Sequence, residues 1–228
     1  MKMVVPAALG AAGLAAAAFQ AWTQPMAPRS YIPADVAYGE RRDVAVAGVA
    51  AAGPHMSKAV SGLLNGLMAA ADRGDWATAK AMLGQARAAP NPSRFDLFEI
   101  DVVASFVAIN TDDPDTALTS SKRVIASPLF RTAQTRQEQR AMLRNAVLLS
   151  NQAGDFSGAV ALGEKLAASG PMDDASTVAL ASAYLGDGEG AKARALALKV
   201  IDAALAAGRK PDQGALRIVL ESQEQRRP

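Results

Sequence analysis

The chain has 228 residues, of which 50% are hydrophobic, 5% aromatic and 20% charged, and its formal net charge is +2. Its apolar residues are rich in alanine, the best helix former, rather than in the β-branched residues that strands favour. The lack of cysteine excludes disulfides and cysteine-type metal sites, and a pI near 9.0 falls short of the clustered positive charge of a dedicated nucleic-acid-binding protein.

Residues 1–21 are predicted to be an export signal. Lys2 precedes an uncharged, alanine-rich run from Met3 to Phe19, which fits the apolar region of a secretory signal and is too short and too weakly hydrophobic for a typical membrane span. Cleavage after Ala18 would leave the small residue Ala16 at the required place. We therefore expect the protein to be exported to the periplasm or secreted. The alternative is an uncleaved anchor that holds the protein in the inner membrane, facing the periplasm.

Residues 22–56 contain several prolines and glycines and are predicted to be a linker, with a short turn of helix around Val44–Ala51. Residues 57–225 form the predicted folded domain. Residues 226–228 are predicted to be a polar tail.

Helix pairs fill the predicted domain. The first pair comprises Lys58–Asp72 and Asp75–Ala88, and the second begins with Phe95–Ile109, whose apolar residues recur at helical spacing. In the second pair, Asp113 and Pro114 are typical of the start of the next helix.

The third pair is predicted from Arg131–Gln152, as one long helix, and Asp155–Ser169. Gly154 ends the first helix because glycine adopts left-handed backbone angles without steric cost, and Asp155 then caps the second. Pro171 prevents the second helix from continuing.

The fourth pair is predicted over Asp174–Leu185 and Gly190–Ala207, joined by a turn at residues 186–190. A glycine and a proline then end that helix. Asp212–Gln223 is predicted to be a single helix that caps the end of the domain.

Each turn is followed by a small residue, which allows antiparallel helices to approach to about 8–10 Å. The four residues concerned are Ala79, Ala117, Ala159 and Ala191, about 32 to 42 residues apart. This spacing brackets the 34-residue period of one well-known repeat class.

The third pair resembles the tetratricopeptide repeat, because Gly154, Phe156, Ala159 and Pro171 keep the spacing of that family's consensus residues. The resemblance covers roughly Lys58–Gln225, and it is greatest to exported bacterial members. It implies an all-α fold, an α-solenoid of stacked antiparallel helix pairs with about four degenerate repeats and a C-terminal capping helix.

The resemblance also implies a concave groove lined by the first helix of each pair. Such a groove holds an extended peptide or a helix, with aromatic side chains as anchors. Carried over to this sequence, the lining residues are Leu64, Met68, Glu99, Val102, Phe106, Asn110, Arg144, Leu148, Asn151, Gln152, Ser176, Leu180 and Tyr184. Their apolar members have the alternative interpretation of ordinary core residues.

Arg136, Arg140 and Arg144 recur every four residues and so share one helical face. Arginine binds carboxylates and phosphates with its planar fork, so Arg140 and Arg144 are further candidates for partner binding. The alternative is a solvated face balanced by Glu138.

Other polar groups suggest sites less strongly. The acidic residues at 112, 113 and 115 and those at 187 and 189 fall where helix caps are needed, so we interpret them as caps rather than as calcium ligands. Thr119 and Lys122 imitate a nucleophile pair by chance, since its companion motifs are absent. His55 has no second imidazole with which to bind a metal.

Two functions fit these patterns. The first is a non-catalytic scaffold in the bacterial cell envelope that binds a protein or peptide partner in the groove, with no cofactor, no nucleic acid, and a membrane contact only if the leader is retained. The second is a helical enzyme, or an accessory domain of one, that acts on cell-wall or glycan substrates. It would need two acidic groups in one cleft, and Glu99 and Asp101, the nearest candidates, point to different sides of their helix.

Overall fold

The computed structural model describes residues 55–224. The predicted leader, the tail and almost all of the predicted linker, including Val44–Ala51, lie outside these residues. Within the described range the regular secondary structure is helical throughout, without a strand. The described helices are α1 Lys58–Asp72, α2 Trp76–Arg87, α3 Arg94–Asn110, α4 Pro114–Ala126, α5 Phe130–Ala133, α6 Arg136–Gln152, α7 Phe156–Ala168, α8 Asp174–Gly186, α9 Gly190–Ala206 and α10 Gln213–Glu224.

The described residues divide into two compact units, 55–142 and 143–224, and the division falls within α6. In the first unit, α1 packs on α2, α2 on α3 and α3 on α4, and α1 also contacts α3. Its core is built from apolar side chains of α1, α2 and α3, among them Leu64, Leu67 and Val103. Every fully buried leucine or valine here removes apolar surface from water, which is the main favourable contribution to folding.

The second unit repeats this order of contacts. Helix α8 packs on α7 and on α9, α9 packs on α10, and α8 also contacts α10. Its core includes Leu180, Val200 and Ile218. In both units, therefore, a helix contacts the next along the chain and also the one after that.

One turn geometry recurs five times in the described chain. A residue with positive φ follows the helix, and the next N–H donates to the carbonyl five residues earlier, as in Asp155 N to Ser150 O at 2.9 Å. This is the Schellman motif, which satisfies carbonyls that the helix end leaves open. The positive-φ residues are Gly74, Asp112, Gly154, Gly188 and Gly208.

An alanine that is 0% exposed lies four residues after the N-cap of each second helix of a pair. These residues are Ala79, Ala117, Ala159 and Ala193. Such full burial is what the predicted close approach requires at the first three positions, and in the first two pairs the partner helices, α1 with α2 and α3 with α4, are in direct contact.

The predicted position in the fourth pair, Ala191, was wrong, because Ala191 is exposed and Ala193 is buried in its place. The pattern Gly-Asp at Gly186 suggests a turn there, but α8 continues through Gly186 and the turn comes at Gly188. Gly186 serves another purpose, since the ring of Phe156 occupies the space where a Cβ would stand. The glycine is needed for this contact rather than for a left-handed backbone.

The single helix predicted over Arg131–Gln152 was also wrong. The structure has the short helix α5, a break, and then α6 from Arg136. Thr135 and Glu138 form a reciprocal cap across the break: the Glu138 carboxylate accepts from Thr135 N at 2.7 Å, and Thr135 Oγ1 accepts from Glu138 N at 3.3 Å. This Thr-x-x-Glu pattern is a helix-start signal that competes with continuous helix.

Asp96 joins the starts of α1 and α3. Its side chain is 0% exposed, and its carboxylate accepts hydrogen bonds from Ser57 N at 2.8 Å and from Ser93 N at 2.9 Å. Burial would raise the pKa of Asp96, but the hydrogen bonds from Ser93 and Ser57 outweigh it and hold the pKa below its usual range. The charged carboxylate thus stabilises the start of its own helix and that of α1, whose N-cap Ser57 is 39 residues earlier in the sequence.

None of the helices among residues 55–224 combines the length and the apolar character that crossing a bilayer requires.

Candidate interaction surface

The candidate residues of the first unit lie on α1, α3 and α6, and most are at least partly buried. Met68 is partly buried and packs against the core cluster of the first unit, to which Phe106 belongs. Phe106 is itself buried, and its ring lies 5.9 Å from that of Trp76 between centroids, with a tilt of 55°. Leu64 and Val102 are also buried. The apolar members of this set are therefore core residues.

Asn110 is the exposed member of the set on α3. Its side-chain amide donates to the Phe106 carbonyl at 2.8 Å, one helical turn earlier. Its carbonyl side remains available to bind the backbone of a peptide. Arg140, on α6, is partly exposed.

Glu99 and Asp101 occupy different surroundings on α3. Glu99 is 0% exposed, so it does not line an open surface as the resemblance implies. Asp101 keeps 19% of its side chain exposed and forms an ion pair with Arg123 at 3.6 Å. Burial raises the pKa of Asp101, and the Arg123 guanidinium opposes that increase. The two carboxyl groups therefore do not share an open cleft of the kind that paired acid–base catalysis needs.

The candidate residues of the second unit connect α6 to α8. Arg144 pairs with Asp173, the N-cap residue of α8, at 3.8 Å, and the Asn151 amide donates to Ala179 O within α8 at 2.8 Å. Both side chains thus have structural partners in addition to any role in binding. Gln152 is exposed, and Leu148 is partly exposed.

Tyr184 is buried on α8, together with Ser176 and Leu180. Its hydroxyl donates to Glu164 Oε1 of α7 at 2.7 Å, and the Lys192 ammonium of α9 lies 4.9 Å from the ring centroid. Lys192 in turn pairs with Glu189 at 2.5 Å. Burial and the hydrogen bond to the Glu164 carboxylate raise the pKa of Tyr184 to about 12. This cluster of Glu164, Tyr184, Glu189 and Lys192 holds three helices together, which is a different use of the ring from that of a groove anchor.

The sequence analysis did not identify Glu164, Lys192 or Asp96 as interacting residues. Glu164 and Lys192 are ordinary charged residues of second helices, and no local pattern singles them out. Asp96 did carry a signal, because Ser93 three positions earlier completes a capping box, in which Asp96 N donates to Ser93 Oγ at 3.0 Å.

Of the acidic residues interpreted as helix caps, Asp113 has that role and Glu189 does not. Asp113 caps α4, accepting from Thr116 N at 3.1 Å, and Asp112 supplies the positive φ before it. Asp187 lies at the C-cap of α8, whereas Glu189 occupies the N-cap position of α9 without a capping bond from its side chain. Thr119 and His55 are exposed. In the described part of the chain, no group of three or more metal-ligating side chains is close enough to hold a metal ion.

Comparison with known proteins found no match: no family model matches the chain, and no curated protein or solved structure is significantly similar to it.

Proposed function

We propose that this protein is a non-catalytic interaction scaffold of the tetratricopeptide type, working in the bacterial cell envelope. In this proposal the helix pairs stack into an α-solenoid, and the first helices of the pairs form a concave groove for a protein or peptide partner. The leader at residues 1–21 directs the chain to the periplasm, or holds it at the inner membrane.

The observation that carries the proposal is the recurrence of one structural unit. The same Schellman turn is followed by an equally placed, fully buried alanine in the four helix pairs. The contact between α1 and α3 joins the first helices of the first two pairs, and α8 contacts the terminal helix α10 in the same way, which is the kind of neighbour contact that stacked repeats require.

The exposed and partly exposed candidates on the first helices are mainly polar. Gln152 and Asn110 are exposed amides on first helices, and Arg140 and Arg144 add positive charge on α6. Amides can donate to and accept from the backbone of an extended peptide, and guanidinium groups suit carboxylates. The expected partner is therefore a peptide segment with acidic residues rather than a purely apolar one.

The proposal can be tested by placing a photoreactive amino acid at single exposed positions of the full chain, expressed in its native host. Gln152 and Asn110 represent the first helices. Lys165 of α7 and Gln85 of α2 are exposed positions on second helices and serve as matched controls in the same units. Mass spectrometry then identifies any cross-linked peptide.

Cross-links to one protein from Gln152 and Asn110, but not from Lys165 or Gln85, are the expected result. Cross-links only from the two control positions, or none from any of the four, would contradict the proposed groove. Sequencing the N-terminus of the protein recovered from the periplasmic and inner-membrane fractions tests the location separately, since a chain in the membrane fraction that begins with Met1 would favour the anchored alternative.

A further inference from the structure

We draw no further inference here: the strongest candidate, the exposed leucines Leu198 and Leu205 on α9 and Leu216 and Leu220 on α10, is an apolar surface at the end of the described helices, and nothing in the structure shows what covers it.

Discussion

Two alanines of α9 give a direct test of how the fourth helix pair is packed. Ala193 is 0% exposed and Ala191, two residues earlier, is exposed. We expect Ala193→Leu to destabilise the protein by about 1–3 kcal/mol, because a larger side chain has to be forced into a filled interior. Ala191→Leu should change the free energy of unfolding by less than about 0.5 kcal/mol.

Urea unfolding of the two variants and the wild type measures this difference. Equal effects of the two substitutions would show that the helices of this pair do not approach each other at Ala193.

Asp96 should make the free energy of unfolding of the first unit depend on pH in the acid range. Its pKa is lowered in the folded state, so its contribution is present above the unfolded pKa of about 3.9 and is lost as the pH falls through the lower, folded value. Near neutral pH, we expect Asp96→Asn to cost about 1–3 kcal/mol, since the amide cannot accept from Ser57 N and Ser93 N as the carboxylate does.

The check is urea unfolding of wild type and variant from neutral pH down to about pH 3. The difference between them should shrink at the acid end. Asp72→Asn, at an exposed position of α1, is the control for the change from a carboxylate to an amide. A constant difference at every pH would exclude the charge of Asp96 as the cause.

Tyr184 should ionise only in strong alkali. Because its folded pKa is raised to about 12, the neutral phenol contributes stability that is fully present below the unfolded pKa of about 10 and is lost as the pH rises through the folded value. Absorbance titration of the phenolate, taken as the difference between wild type and Tyr184→Phe, measures the pKa.

Glu164→Gln separates the two causes of the raised pKa. The amide oxygen can still accept from the hydroxyl, but the negative charge is gone, so the pKa of Tyr184 should fall towards 10. An unchanged pKa in this variant would mean that the negative charge of Glu164 does not contribute to the increase.

At the scale of single residues, burial could be predicted better than partners. The apolar residues that recur at helical spacing in Phe95–Ile109 include Val103, which is buried, since a helix packs an apolar stripe against its neighbours. The link between Tyr184 and Glu164 joins residues 20 positions apart on different helices, and only the packing of α7 on α8 brings them together. Sequence spacing within one helix contains no information about such a pair.

The turns are the elements whose sequence requirements are the clearest. Gly154 has φ = 73°, a conformation that side chains with a Cβ adopt only at a cost. We expect Gly154→Ala to destabilise the protein by about 1 kcal/mol. Thermal unfolding followed by circular dichroism measures the change.

Gly84→Ala provides the opposite control for this prediction. Gly84 lies within α2, its backbone is helical, and an added Cβ would meet nothing within 4 Å. Alanine should therefore stabilise the helix by about 0.5–1 kcal/mol. If both alanine substitutions shifted the midpoint of thermal unfolding in the same direction, the left-handed backbone at Gly154 would not be the reason why that turn has a glycine.

Element boundaries could be predicted from capping residues wherever one signal acts alone. Lys58–Asp72 was predicted with its observed bounds, and in the structure Ser57 caps its start and Gly74 follows its end. The break before Arg136 was missed because the residues on both sides of it are helical. Thr135 and Glu138 cap the start of a new helix there, and this cap interrupts the predicted single helix. Gly186 shows a second difficulty, since the same residue type marks a turn in one place and a close contact in another.

For the molecule as a whole, the described residues divide into two compact units, and we expect a core substitution to act mainly on its own unit. Ile218 is 0% exposed in the core of the second unit, and Ile218→Ala should cost about 2–5 kcal/mol. Leu220→Ala, on the same helix but 65% exposed, should cost far less.

Hydrogen exchange followed by mass spectrometry locates the effect. In Ile218→Ala, amides of residues 143–224 should exchange faster, while those of residues 55–142 keep their protection. Equal acceleration in both ranges would show that the protein opens as a single cooperative unit.

The all-helical class could be predicted from composition and periodicity, and the pairing of helices from the turns between them. The arrangement of pairs could not, because it depends on contacts such as that between Gly163 of α7 and Leu180 of α8, where a methyl carbon lies 2.5 Å from the place of an added Cβ. For the candidate groove, the sequence identifies which helices come first in each pair. It does not reveal that Phe106 and Tyr184 are buried among neighbours.

The shared backbone of the turns has a consequence for protein engineering. Gly74, Gly154 and Gly188 have φ between 73° and 84° and are followed by the same hydrogen bond. We therefore expect that the turn sequence of one helix pair can replace that of another. A transplant of the Gly154-Asp155 dipeptide onto Gly188-Glu189 would supply the capping oxygen that α9 lacks, without redirecting either helix.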